Sequence, residues 1–144
     1  MSFKGQLDAF SRKTEGNMAL ATKKVLIDIG ARLVERTPVG DPTLWAGPAP
    51  AGYVGGRARG SWQYSIGSPA VGDTGNIDAA GSATVASITA SIKPIPGIHY
   101  ITSNLPYIQA LEHGWSSQAP GGMVGLTAIE FSNIVDVAVR GARR

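Results

Sequence analysis

Glu112 and His113 stand side by side in LEHGWSSQAPGG, residues 111–122, the one place where this chain sets an acid next to a histidine. The other histidine, His99, lies in PGIHYITSN. Glu112, His113 and His99 are therefore the residues from which a small hydrolase or metal enzyme would be built. Such chemistry needs a base, an orienting acid and a nucleophile or metal brought together in space. Adjacency does not supply that, because neighbours on a helix point about 100° apart. The sequence holds neither a G-x-S-x-G elbow nor an H-E-x-x-H metal spacing. No catalytic residue, metal ligand or cofactor is expected, and the chain is read as a non-enzyme.

Two other segments carry chemistry of a different kind. GGRARG, residues 55–60, and the C-terminal Arg140, Arg143 and Arg144 would suit a small nucleic-acid-binding module using Arg57, Arg59 and those last arginines. The stretch is not repeated and lacks the Lys-Ser/Thr ending of a phosphate loop. Salt-dependent binding would be the mark of this reading. WSSQAPGGM offers instead an aromatic anchor, Trp115, a side chain that donates and accepts, Gln118, and a backbone restrained by Pro120. That is the composition of a docking corner. A plug for the domain's own core would use Trp115 equally well.

The totals bound these readings. The chain has 144 residues, enough for one domain with a single core. Charged residues are only 16%, so little on the surface keeps copies apart, and the formal charge of +3 permits nucleic-acid contact without implying it. Cysteine is absent, which removes disulfides and thiolate metal sites. The opening MSFKGQLDAFSRK has scattered charges and no apolar h-region, so no secretory signal is expected. No apolar run reaches the ~20 residues of a membrane span.

Positioning falls to the elements. Residues 3–36 predict one long helix ended by Thr37-Pro38. Met18, Val25, Ile29 and Leu33 form one stripe, interrupted by Thr22. Leu20, Ile27 and Val34, spaced by seven, fall roughly opposite. A second stripe wants a second partner: either another part of the same domain or a sister subunit. Residues 39–60 form a long arm rich in proline and glycine, yet it carries Trp45 and Tyr53, which favours an ordered arm that packs on something.

Alternation in SWQYSIG, residues 61–67, predicts a strand. Ala86, Ile88, Ala90 and Ile92 alternate with serine and threonine, so the second half of 77–92 is read as another strand, although Asp78 would also cap a helix. Residues 96–104 predict a third strand, paired with the second across the Pro94–Gly97 turn. Asn104 is expected to cap a short helix with Leu105, Ile108 and Leu111 inward and Gly114 as its stop. From Met123 onward a second long helix is expected, with Val124, Ala128, Phe131, Val135 and Ala138 inward and Glu130 on the far side. The class is α+β: a small mixed or antiparallel sheet packed against two long helices, with a long ordered loop arm, in a single domain over 1–144.

Five motifs now stand in order: a helix ending in Thr-Pro-Val, then GRARGSW, NLPY, LEHGW and QAPGGM. In that order, over roughly residues 18–140, the chain resembles the head–tail joining proteins of long-tailed bacteriophages: neck, tail-completion (tail-terminator) or minor tail proteins. The matching positions are Thr37, Pro38, Arg57, Arg59, Trp62, Pro106, Tyr107, Glu112, Gly114, Trp115, Pro120 and Met123. The segment GDPTLWAGPAPAGYVG lengthens the usual connection and points to a subgroup. The resemblance implies a virion structural protein without enzymatic activity. It also implies a homo-oligomeric ring, commonly a hexamer, at the junction between the DNA-filled head and the tail. Its partners would be head connector or adaptor proteins and the tail tube. Double-stranded DNA would pass the lumen without sequence-specific binding, and assembly would take place in the bacterial cytoplasm. Subunit or partner contacts are then expected from Leu20, Ile27, Val34, Trp45, Tyr53, Arg57, Arg59 and Trp115.

Overall fold

The computed structural model describes the backbone of residues 3–44 and 46–142, and the side chains of these except at 3, 7, 10–14 and 44. Trp45, Arg143 and Arg144 lie outside the described residues. The fold is α+β: α1 Phe3–Arg36, a 3₁₀ turn Pro42–Leu44, α2 Arg57–Gly60, β1 Gln63–Ile66, α3 Ser82–Ser91, β2 His99–Thr102, α4 Ile108–Glu112, α5 Val124–Ile129 and α6 Phe131–Ala142. The sheet has two antiparallel strands, with Tyr64 opposite Ile101 and Ile66 opposite His99. The core joins Leu26, Leu33 and Val34 of α1 to Trp62, Ile88, Ile92, Ala119 and Met123.

The end of α1 shows how local chemistry sets the frame. A helix leaves its last carbonyls without intrahelical partners. Thr37 supplies two: its hydroxyl donates to Leu33 O (2.6 Å) and its N–H to Val34 O (3.2 Å). Arg59 adds two more bonds at this end, donating from Nη2 to Glu35 O (3.2 Å) and from Nε to Thr37 O (2.8 Å). A guanidinium there also suits the negative end of the helix dipole. The Thr37 hydroxyl in turn accepts from Trp62 Nε1 at 2.8 Å, which fixes the strand-leading tryptophan against the helix end.

Three expectations need correction. Residues 82–91 are helix, not strand. The Asp78 carboxylate accepts from Gly81 N (3.0 Å), Thr84 N (2.7 Å) and the Thr84 hydroxyl (2.7 Å), which starts the helix. Thr84, Ile88 and Ile92 are buried at a spacing of four, while Ala86 and Ala90 are exposed. The apparent alternation was produced by isoleucines that serve either period, beside alanines that serve neither. β2 accordingly pairs with β1, and no strand pairing crosses the Pro94–Gly97 turn. α3 crosses α1 closely at Gly30, where a Cβ would come within 3.2 Å of Ile88.

Asn104 does not cap α4. Its amide donates to Ala70 O (2.8 Å) and Gly72 O (3.0 Å), tying the 70–72 turn to the end of β2. Leu105 is buried and Ile108 and Leu111 pack on the core, as expected. Gly114 does end the helix, at φ +85°, with its N–H on Leu111 O and that of Trp115 on Ala110 O.

The last helix breaks at Glu130 and rolls its apolar stripe. Thr127, Ile134, Ala138 and Ala142 are buried, whereas Val124, Ala128 and Phe131 are exposed. Glu130 is not on the far side. Its carboxylate pairs with Arg32 and Arg36 of α1, while Arg36 also donates to the Thr127 hydroxyl at 2.9 Å. Two arginines on α1 thus dictate which face of α5–α6 turns inward, and the bulkier apolar residues are left outside.

Candidate interaction site

Tyr53, Arg57 and Trp115, far apart in sequence, converge on one cavity of about 430 Å³ between the 39–60 arm and the corner after α4. Tyr107, Leu111 and Gln118 complete its wall. The corner is positioned by the glycine stop described above, which aims Trp115 outward with 82% of its surface exposed. Trp115 therefore does not plug its own core. The arm is held by Gln118, whose side-chain amide makes a two-point clamp on the Val39 backbone: Oε1 accepts from Val39 N (3.1 Å) and Nε2 donates to Val39 O (2.8 Å). Gly55 then passes so near the arm's start that a Cβ would meet Gly40 O at 2.6 Å. Burial raises the Tyr107 phenol above its ordinary value, so it stays neutral.

The charged residues at this site are already engaged. Arg57 donates to Asp73 at 2.8 Å, which raises the guanidinium and lowers the carboxyl. Arg59 does not line this cavity: its donors go to the end of α1 and to Ala79 O (2.7 Å).

The acid of the opening motif is likewise occupied. Glu112 Oε2 accepts from Met123 N and Val124 N, both at 2.8 Å, and Oε1 from Gly125 N at 2.9 Å. It caps the start of α5 from a distance, taking orphan N–H groups. Burial pushes this carboxyl up, but the three N–H donors outweigh that and hold it below its ordinary value. His113 is exposed. The ring nitrogens of His99 are engaged separately, Nδ1 with the Tyr64 hydroxyl (2.7 Å) and Nε2 with Ile95 O (3.0 Å). Glu112 and His99 share no partner. Among the described residues no group of three acids or histidines is placed to hold a metal, and no helix is long and apolar enough to cross a membrane.

The second stripe of α1 is split. Val34 is wholly buried and lies in its own core, so it has no surface to offer a sister copy, and Ile27 packs on that core from its edge. Leu20 keeps 46% of its surface exposed. What the sequence pattern missed is a second apolar surface. A groove of about 410 Å³ runs between Leu26, Ile29 and Leu33 of α1, Ile101 of β2, and Val124 and Phe131 of α5–α6. These are largely the residues that helical spacing assigned to the core. The signal was present: Met123, Thr127, Ile134, Ala138 and Ala142 form a rival stripe with small residues at its end, which permit close approach to α1.

No protein-family model matches the chain, and no curated protein or solved structure is significantly similar to it. The reading of the site rests on its own geometry and on the motifs that build it.

Proposed function

We propose that the chain is a structural subunit of a ring at the head–tail junction of a tailed phage particle, in a neck or tail-completion position around the DNA channel. The observation that carries this reading is surface area. The chain exposes 9036 Å², whereas a compact monomer of its 14.9 kDa exposes about 7,000 Å². The excess of roughly 2,000 Å² is the area that a subunit loses to its neighbours in a stable assembly. The exposed part includes the large apolar side chains of Trp115, Met18, Phe131 and Ile129.

The motif positions support the reading in a second way, because they form one physical unit. Trp62 and Arg59 both bind Thr37, Gln118 clamps Val39, and Glu112 caps Met123. Four of the five short sequences, separate along the chain, are the parts of one scaffold, and Trp115 and Tyr53 line the cavity beside it. The contacts between copies would be head-to-tail, since closed rings arise from unlike patches meeting round an axis. A net charge of +3 per subunit is enough to line a channel without gripping DNA that must slide.

Labelled particles test the proposal directly. A tag on the exposed 46–52 arm should place density at the neck or at the head-proximal end of the tail. Signal along the tube, at the distal tip, or absent from particles would refute it.

A further inference from the structure

We propose that the 93–97 turn of a second copy of this chain seats in the cavity beside the 39–60 arm, with its prolines against Tyr107 and Trp115 and the Lys93 ammonium on the Asp41 carboxylate. The proposal rests on the reading of the chain as a self-assembling subunit and names the contact that makes the assembly.

The two-stranded sheet sets turn and cavity at opposite ends. α2, which lends Arg57 to the cavity, leads into β1 at Gln63, and Tyr107 follows the end of β2 at Thr102. Gln63 and Thr102 pair at that end, and Ile66 and His99 pair at the other. The 93–97 turn leads into β2 at this second end, with Gly97 against Ile66. Its backbone is gripped from both sides. The Tyr64 hydroxyl bonds the Lys93 N–H (3.3 Å) and carbonyl (3.4 Å), Ile95 N donates to Lys93 O (2.8 Å), and His99 Nε2 donates to Ile95 O (3.0 Å). Pro94 and Pro96 fix two of its φ angles. A segment held in this way loses little freedom on docking. It shows Lys93, Ile95 and Pro96 to solvent. The Lys93 ammonium has no partner among the described residues.

The cavity is complementary in chemistry and in charge. Its volume of about 430 Å³ falls in the range of ligand sites, roughly 300–1,000 Å³. Tyr107 and Trp115 offer exposed aromatic surface of the kind that receives proline-bearing backbone. Among the charged residues that line it, Arg57 is neutralised by Asp73, which leaves Asp41. Asp41 is engaged through one oxygen only: Oδ1 accepts from the Thr43 hydroxyl (2.7 Å) and N–H (3.0 Å), and Oδ2 stays open. Those two bonds hold the carboxyl below its ordinary value, so it is charged at neutral pH. An acid beside aromatic surface selects a segment that is both basic and rich in proline. Lys93-Pro94-Ile95-Pro96 is such a segment. The arm's own Pro48-Ala49-Pro50 is not, because no basic residue lies between Pro38 and Arg57. Turn and cavity are different patches of one chain, so the contact is heterologous and runs head to tail.

The unaltered chain can be tested with a zero-length carbodiimide, which joins a carboxylate to an amine where the two already touch. Bands at multiples of the chain mass should contain an amide between Lys93 and Asp41, identified by peptide mass spectrometry, and the single-chain band should lack it. Charge reversal gives a second readout. Lys93→Asp and Asp41→Lys change exposed positions, and each should weaken assembly about tenfold or more, since like charges then face each other. An equal mixture of the two variants should restore it, because every turn then meets a cavity of opposite charge on the other variant. Multimers that lack the link and tolerate both reversals would overturn the proposal while leaving the ring reading intact. So would reversals that weaken assembly without rescue in the mixture, or a link confined to the single-chain band. A wild-type chain that stays monomeric by sedimentation at every concentration would overturn the self-assembly reading itself.

Discussion

Replacing Trp62 by alanine should cost about 3–5 kcal/mol of stability, the usual loss for a buried tryptophan. For a chain of this size that lowers the thermal midpoint by on the order of 10 °C or more. Two effects combine. The indole is buried between α1 and the sheet, and its removal leaves a void lined by core residues such as Val34 and Leu33. The indole N–H also donates to the Thr37 hydroxyl, which itself closes the end of α1. Trp62→Phe separates the two. It keeps most of the apolar volume and loses only the hydrogen bond, so about 1–2 kcal/mol is expected. Thermal unfolding followed by circular dichroism at one fixed protein concentration measures both, since the proposed assembly would make the midpoint concentration-dependent. An alanine variant that melts with the parent would mean that Trp62 does not join α1 to the sheet.

Glu112→Ala should be the next most damaging change, at about 1.5–3 kcal/mol, because one carboxylate takes three backbone N–H groups at the start of α5 in charge-assisted bonds. The pH dependence has a definite sign. Burial alone would raise the carboxyl, but the Met123, Val124 and Gly125 N–H groups together leave it below its ordinary value of 4.5. A carboxyl lowered in the folded state contributes its full stabilisation above the unfolded value and loses it as pH falls through the folded one. Asp78 acts in the same direction, lowered first by the Thr84 hydroxyl and further by the N–H groups of Thr84 and Gly81. Stability should therefore be level near neutrality and fall below about pH 4. Glu112→Gln should be less stable than the parent at pH 7, and the gap should close as the parent's carboxyl is protonated. A gap that stayed constant down to pH 2 would contradict the assignment of this carboxylate as a charged cap.

Much of the frame was legible because it depends on local rules. The 34-residue α1, its stop at Thr37-Pro38, the existence of β1 and the glycine stop at Gly114 all follow from spacing and backbone preference, although β1 is half-buried throughout and Ser61 before it is buried. The errors arose where two patterns shared the same residues. Ile88 and Ile92 fit a period of two and a period of four, and Asp78 decided between them through hydrogen bonds that periodicity does not weigh. Val124 and Phe131 made a good stripe on paper, yet the charge pairs of Glu130 with Arg32 and Arg36 turned a different stripe inward.

The site was legible in pieces. Tyr53, Arg57 and Trp115 were each singled out on composition, but their convergence depends on the Gln118 clamp and the path of the arm. Arg59, two residues from Arg57, shares its chemistry and not its place, because the short helix α2 turns it toward the end of α1. Leu20, Ile27 and Val34 share a spacing of seven and three different fates. A heptad spacing carries no information about where along the helix burial changes.

The most direct measurement is the mass of the full chain in solution at micromolar concentration by sedimentation. A subunit that leaves about 2,000 Å² of surface uncovered should sediment as a closed multimer of discrete mass, six-fold if the phage resemblance holds. A single species of 14.9 kDa that remains monomeric as concentration is raised would contradict the account.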